Sequence, residues 1–107
     1  MQTNEEGERT VVLLEDRQLL ESLRQSGVAE HLHEGLVNYV NQYIQPGDFL
    51  MQVLSNDLRG AFERGDEESI ASLRALVLWL YNEAPANCWG RPSVVTAWLA
   101  RRNRQTG

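Results

Sequence analysis

Apolar residues recur at helical spacing along much of the chain, which predicts helices with one buried face. The clearest stripe comprises Phe49, Leu50, Val53, Leu54, Leu58, Ala61 and Phe62. Asp48 is placed to cap this helix at its amino end, and Gly65 is placed to end it. No stretch alternates between apolar and polar residues over a length that would predict a β-sheet.

The same spacing predicts three further helices. The first begins at Asp16 and ends near Gly27, the second runs from Glu30 to Ile44, and the last begins at Ser93. Their apolar faces carry Leu19, Leu20 and Leu23, then Leu32, Leu36, Tyr39, Val40 and Tyr43, then Val94, Val95, Trp98 and Leu99. Gly35 costs about 1 kcal/mol relative to alanine inside a helix, so its presence indicates close packing there.

The segment between Asp66 and Pro85 predicts one more helix, whose second half is apolar nearly all round. A helix with this pattern is usually central and buried. The sequence therefore predicts an all-α fold, a compact bundle of about five helices around a central apolar helix (66–84).

The amino-terminal region divides into two parts. Residues 1–10 are polar and acidic, which predicts a disordered tail, and residues 11–104 are predicted to form a single helical domain. The apolar run from Val11 to Leu14 is too short to classify by its period. It could extend the first helix, dock as an arm, or pair with another subunit, and self-association would give a homodimer.

Charge and cysteine content narrow the class of protein. The formal net charge of the 107 residues is −5, which argues against non-specific binding to nucleic acid or anionic lipid. A single cysteine, Cys88, beside Trp89, is typical of a buried structural thiol rather than of a disulfide scaffold. With no secretory leader and no apolar run long enough to span a membrane, we expect a cytoplasmic protein.

Asp57 is the one polar residue within the apolar stripe of the third predicted helix. An ionised carboxylate at such a position is costly unless it is paired or hydrogen-bonded. We therefore expect Asp57 to be a buried structural tie that accepts hydrogen bonds from an arginine, or from backbone N–H groups of the Ala86–Pro92 loop or of the helix that starts at Ser93. The alternative is a catalytic or ligand-binding carboxylate helped by Asn56, but no second carboxylate is evident for acid–base chemistry.

No metal or cofactor site is predicted. His31 and His33 are two positions apart and point to different faces of a helix, so they cannot share an ion by themselves. We interpret both as solvated side chains. The chain also lacks a glycine-rich phosphate loop.

The carboxyl-terminal segment carries the candidate interaction residues, namely Arg91, Trp98, Arg101, Arg102 and Arg104. Residues 91–107 contain these four arginines and no acid, and the segment is weakly similar to the recognition helix of a helix-turn-helix protein. The connection from Pro85 to Pro92 is longer than the turn of that motif. An amphipathic terminal helix with a cationic end is therefore favoured over a nucleic-acid-binding helix.

One set of residues supports a resemblance. The pattern comprises Pro46-Gly47-Asp48-Phe49-Leu50, Val53-Leu54, Asn56-Asp57-Leu58, Ala61, Asp66, Pro85, Trp89-Gly90 and Trp98. It resembles a set of small all-helical proteins of bacteriophages and prophages over roughly residues 32–100, with Gly65 standing where alanine is expected. The resemblance implies a phage or mobile-element product in a bacterial cytoplasm, and it carries over no functional residue.

These observations favour a non-catalytic helical interaction protein, such as a phage accessory or inhibitory factor that binds a host or phage protein. The absence of any catalytic grouping supports this prediction. The first alternative is a nucleic-acid-binding protein that uses the arginine-rich carboxyl end. The second alternative is an enzyme centred on Asp57.

Overall fold

The computed structural model describes the backbone of residues 16–106 and the side chains of residues 16–103. Within that part of the chain there are seven α-helices and two short 3₁₀ turns, Glu30–Leu32 and Ala86–Cys88. The helices are α1 (Asp16–Ser26), α2 (His33–Gln42), α3 (Asp48–Leu54), α4 (Leu58–Arg64), α5 (Glu67–Ala71), α6 (Leu73–Asn82) and α7 (Pro92–Thr106). The predicted amino-terminal tail and the Val11–Leu14 run lie outside the described residues.

The all-α prediction is confirmed, but about five helices is an undercount because two of the predicted helices are interrupted. The third predicted helix breaks after Leu54, where Asn56 adopts a left-handed conformation with φ of 64°. Asp57 then caps α4, and its Oδ1 accepts a hydrogen bond from the Gly60 amide at 3.0 Å. A short polar side chain tolerates both roles, as a turn residue or as a helix cap.

The prediction that Asp57 is buried is therefore wrong. The break turns α4 relative to α3, so the apolar stripe is not continuous and Asp57 is exposed at the junction. Its expected backbone N–H partner exists, but it belongs to the first turn of its own helix rather than to the loop or helix near the carboxyl end.

The central helix predicted over residues 66–84 breaks at Ser72. The buried Ser72 hydroxyl accepts a hydrogen bond from the Ala29 amide at 2.8 Å, which ties the break to the segment after α1. The shorter helix α6 remains central, since Leu76, Trp79 and Leu80 on one side of it are buried. Trp79 Nε1 donates to the Ser22 hydroxyl on α1 at 2.8 Å.

The other side of α6 departs from the prediction of burial all round. Leu78 is 46% exposed and Tyr81 is 75% exposed. The spacing of apolar residues predicts which side chains are shielded from water. It does not predict whether the same chain or another molecule shields them.

Close packing at Gly35 is confirmed. A Cβ atom at this position would lie 3.2 Å from Leu50 Cδ1 and 3.8 Å from Pro46 Cβ. The glycine therefore lets α2 approach the start of α3, which helps to enclose the buried Leu36 and Leu50.

A buried polar network fastens α7 to α2. The Tyr39 hydroxyl donates to the Cys88 carbonyl at 2.7 Å, and Trp98 Nε1 donates to the Tyr39 carbonyl at 2.9 Å. Tyr43 packs edge-on against Trp98 with ring centroids 5.3 Å apart. Burial raises the pKa of the Tyr39 phenol, so it remains a neutral hydrogen-bond donor.

In the described part of the chain, no helix is both long enough and apolar enough to cross a lipid bilayer.

Replacing Tyr39 with phenylalanine should lower the free energy of unfolding by about 1–3 kcal/mol, because the buried Cys88 carbonyl loses its donor. Urea denaturation followed by circular dichroism measures the change. Tyr81→Phe is the matched control, since its hydroxyl belongs to an exposed side chain, and it should change stability by less than about 0.5 kcal/mol. Equal effects of the two substitutions would contradict this account of the Tyr39 hydrogen bond.

Candidate functional site

An open apolar groove runs along α6 and is bordered by α3, α4 and the loop before α7. It consists of two adjoining cavities, of about 420 Å³ and about 80 Å³, that share Val53, Asn56 and Val77 in their linings. The larger cavity extends toward the carboxyl end of α6, and the smaller one extends toward its amino end. Because the shared residues lie between them, the cavities form one elongated groove.

The larger cavity is the aromatic end of the groove, lined by Tyr81, Trp89 and Gly90 among others. The Tyr81 and Trp89 rings meet edge to face, with centroids 5.4 Å apart. Gly90 has a positive φ of 123°, and its amide donates to the Leu54 carbonyl at 2.7 Å. This hydrogen bond holds the loop, and with it Trp89, beside α3.

The smaller cavity is the aliphatic end of the groove, lined by Leu58, Ala61 and Leu73 among others. Leu58 is 63% exposed, and Phe62, one turn further along α4, is 51% exposed. Residues four positions apart are neighbours on a helix surface, so the two side chains extend the apolar surface at this end. The capping residue Asp57 also lines this cavity.

The outer face of α6 adjoins the groove, and it shares Val77 and Tyr81 with the groove lining. Arg74, Val77, Leu78 and Tyr81 follow the spacing i, i+3, i+4 and i+7, so they make one continuous stripe on the helix, which we call the outer stripe. Arg74 is exposed and forms no ion pair with any residue that the structure describes. The outer stripe is therefore apolar with one free cation at its amino-terminal end.

The candidate interaction residues of the carboxyl-terminal segment do not form one site. Trp98 is only 2% exposed and belongs to the core, so the expectation of an interaction surface that includes it is wrong. The Arg101 guanidinium lies 4.2 Å from the centroid of the Trp98 ring, which makes it part of the same packing. Arg91 directly precedes α7 and Arg102 lies in its last third. Both are exposed, and eleven residues of helical rise place them about 16 Å apart along the axis. The side chain of Arg104 lies outside the described residues.

Cys88 is fully buried, as the sequence predicted for a structural thiol. Burial raises the pKa of the Cys88 thiol to about 12, and the nearby charge of Arg101 opposes this only in part. The thiolate is the nucleophilic form, so this residue is inert in the folded protein at neutral pH.

A histidine–serine contact that the sequence did not predict lies elsewhere on the surface. His31 Nε2 and Ser69 Oγ are hydrogen-bonded at 2.8 Å, although 38 positions separate them along the chain. His33 Nε2 is hydrogen-bonded to the Val28 carbonyl at 2.7 Å and its side chain is half-buried, so the interpretation of His33 as solvated is wrong, whereas His31 is exposed as expected. Neither contact has a signal in the local sequence, because both depend on how the helices pack.

The histidine–serine pair lacks the geometry of a nucleophile and its base. Ser69 is only 3% exposed, so a substrate cannot reach its hydroxyl. The distance from His31 Nδ1 to Glu68 Oε1 is 3.7 Å, too long for the hydrogen bond that orients a catalytic histidine. The Ser69 amide and hydroxyl instead bond to Asp66 and hold the pKa of that carboxyl below its usual value, as in a helix cap.

Among residues 16–103, no three or more histidine, cysteine, aspartate or glutamate side chains converge on a position that would hold a metal ion.

The chain matches no protein-family model, no curated protein and no solved structure.

Asp57→Ala should lower the free energy of unfolding by about 1 kcal/mol, because the Gly60 amide loses its cap. Asp57→Asn keeps a side-chain oxygen that can accept the hydrogen bond, so it should lower the free energy of unfolding by less. Urea titrations of the two variants measure the difference. A loss above about 3 kcal/mol for Asp57→Ala, which is typical of an unpaired charge left in a core, would show that the carboxylate is buried after all.

Cys88 should react with a thiol reagent such as DTNB only when the protein unfolds, because its sulfur is buried and protonated. At pH 8 the reaction rate of the folded protein should increase with urea in parallel with the unfolded fraction. The fully unfolded chain provides the reference rate for a free thiol. Fast labelling without urea would mean that the loop before α7 opens independently of the core.

Proposed function

We propose that this protein is a non-catalytic interaction protein that binds an amphipathic α-helix of another protein in the groove along α6. The observation that carries the proposal is the exposure of large apolar side chains in and next to the groove. Leu58 and Tyr81 line it, and the exposed Phe62 and Leu78 neighbour them on α4 and α6. Contiguous exposed apolar surface rimmed by polar residues is typical of a protein-binding site.

The dimensions of the groove favour a helix as the bound element. Leu73 and Tyr81 mark its two ends along α6, and eight residues of helix span about 12 Å. A ligand helix with apolar residues at i, i+3 and i+7 spans about 10 Å, which matches that length. Tyr81 and Trp89 at the wider end are of the residue types that contribute most to binding energy at interfaces.

Two arginines favour acidic residues on the polar side of the bound helix. Arg74 lies on the outer stripe, and Arg91 directly follows Gly90 of the groove lining. Neither forms an ion pair with another described residue. Acidic side chains beside the apolar positions of a partner would therefore meet unpaired cations, although the protein as a whole is acidic.

The absence of catalysis is part of the proposal. Asp57, the acid in the groove lining, already serves as a helix cap, and a single carboxylate lacks the second group that acid–base chemistry needs. In the setting that the sequence resemblance implies, the partner is a host or phage protein in a bacterial cytoplasm.

Two synthetic helical peptides of about 20 residues test the proposal, since peptides of that length can form helices in water. Both carry the same apolar face, and their polar faces carry glutamate in one and lysine in the other. Titration into the ¹⁵N-labelled protein should shift the backbone amide signals of Val77, Tyr81 and Gly90 more with the acidic peptide. Arg74→Glu should reverse the preference, because a glutamate at position 74 repels the acidic peptide and attracts the lysine peptide.

Arg17→Glu is the control, since it makes the same change of charge at an exposed position on α1. It should leave the preference for the acidic peptide unchanged. The proposal fails if neither peptide shifts the groove signals at concentrations up to about 1 mM, or if Arg17→Glu changes the preference as much as Arg74→Glu does.

A further inference from the structure

We propose that, without a partner, two copies of this chain pair through the outer stripes of their α6 helices in an antiparallel arrangement. The inference concerns regulation of the proposed binding groove, because Val77 and Tyr81 belong both to the groove lining and to the outer stripe. Self-pairing and partner binding are then mutually exclusive.

The outer stripe is complementary to itself. The relevant two-fold axis runs between the two α6 helices, perpendicular to both and level with the midpoint between Val77 and Leu78. It brings position 74 of one copy level with position 81 of the other, and position 77 level with position 78. It therefore places Arg74 against Tyr81 of the second copy, twice, and it brings Val77 and Leu78 of both copies together at the centre, each beside its own counterpart. Every group of the stripe meets a chemically suitable group.

The Arg74–Tyr81 contact gives the arrangement its direction. Tyr81 is 75% exposed, and Arg74 is exposed and makes no ion pair among the described residues. A guanidinium stacked on an aromatic ring is attracted to the ring face, and this protein already contains such a contact between Arg101 and Trp98 at 4.2 Å. An axis parallel to α6 would instead oppose Arg74 to Arg74, which is repulsive.

Val77 and Leu78 supply the apolar centre of the contact. Leu78 is 46% exposed and Val77 is half-buried, so neither is fully covered within one chain. A contact built around one short helix from each copy is smaller than a standard protein interface of about 800 Å² per partner. We therefore expect a weak dimer that a partner helix can displace.

Sedimentation equilibrium of the full-length chain over a concentration series gives the first test. The average mass should rise from the 12.2 kDa of one chain toward twice that value with increasing concentration. Tyr81→Asp should hold the mass at that of one chain, while Arg17→Asp, on the exposed surface of α1, should behave as the wild type does. A wild-type protein that is monomeric throughout the series overturns the inference.

Disulfide trapping determines the direction of pairing. A mixture of Arg74→Cys and Tyr81→Cys chains should form a heterodimeric disulfide on mild oxidation, and it retains one native Arg74–Tyr81 contact. Arg74→Cys alone should trap several-fold less dimer, because like positions are far apart in the antiparallel pair. Cys88 is buried and protonated, so it does not compete. More trapping by Arg74→Cys alone than by the mixture would overturn the antiparallel arrangement.

The two proposals can fail separately. The mass and trapping experiments contain no peptide, so they test the dimer alone. If the chain pairs with itself but binds neither peptide, the dimer is supported and the proposed function is overturned. If both hold, the acidic helical peptide should shift the mass back toward that of one chain. Peptide binding that leaves the dimer intact would overturn the mutual exclusion.

Discussion

Burial of the inner face of α6 is the interaction on which the rest of the structure depends. Leu76, Trp79 and Leu80 are almost completely enclosed, and α1 reaches this face through the Ser22–Trp79 hydrogen bond. Full burial of one large apolar side chain contributes about 1.5–3 kcal/mol, so a few of them match the whole net stability of a domain, about 5–15 kcal/mol. The inner face of α6 is therefore closely constrained, whereas its outer face is free to serve another purpose.

The sequence predicted the helical class, the ends of most helices and much of the core, because these follow from local periodicity and from capping residues. It failed where two local signals competed. Asn56 and Asp57 interrupt an apolar stripe that runs from Phe49 to Phe62. The stripe predicts one continuous helix, whereas both residues strongly prefer turns and caps, and this preference determines the structure. The cause at Ser72 is different, because its hydroxyl accepts a hydrogen bond from the distant Ala29 amide. That contact exists only in the folded chain.

The candidate groove could be predicted only in part. The sequence shows that the helix around Val77 is apolar on nearly every side, but periodicity cannot distinguish cover by the same chain from cover by another. For this reason the apolar stripe predicts that Leu58 and Phe62 are buried, although both are exposed on α4. Trp98 shows the opposite error, since its indole N–H is satisfied within the core by the Tyr39 carbonyl. Aromatic residues suit cores and interfaces equally well, and only the fold separates the two.

The outer face of α6 exposes apolar surface on a chain that is acidic as a whole. The net charge of −5 opposes indiscriminate association, since any two copies repel one another at long range. Association of two copies then requires a specific attractive contact. In the proposed dimer, this is the contact of Arg74 on one outer stripe with Tyr81 on the other. In the proposed complex, a partner with acidic residues beside its apolar face meets the same general repulsion, and Arg74, which forms no ion pair with a described residue, provides the local attraction for it. Under this proposal, selectivity at the surface comes from a few cations placed against an acidic background, rather than from the apolar area itself.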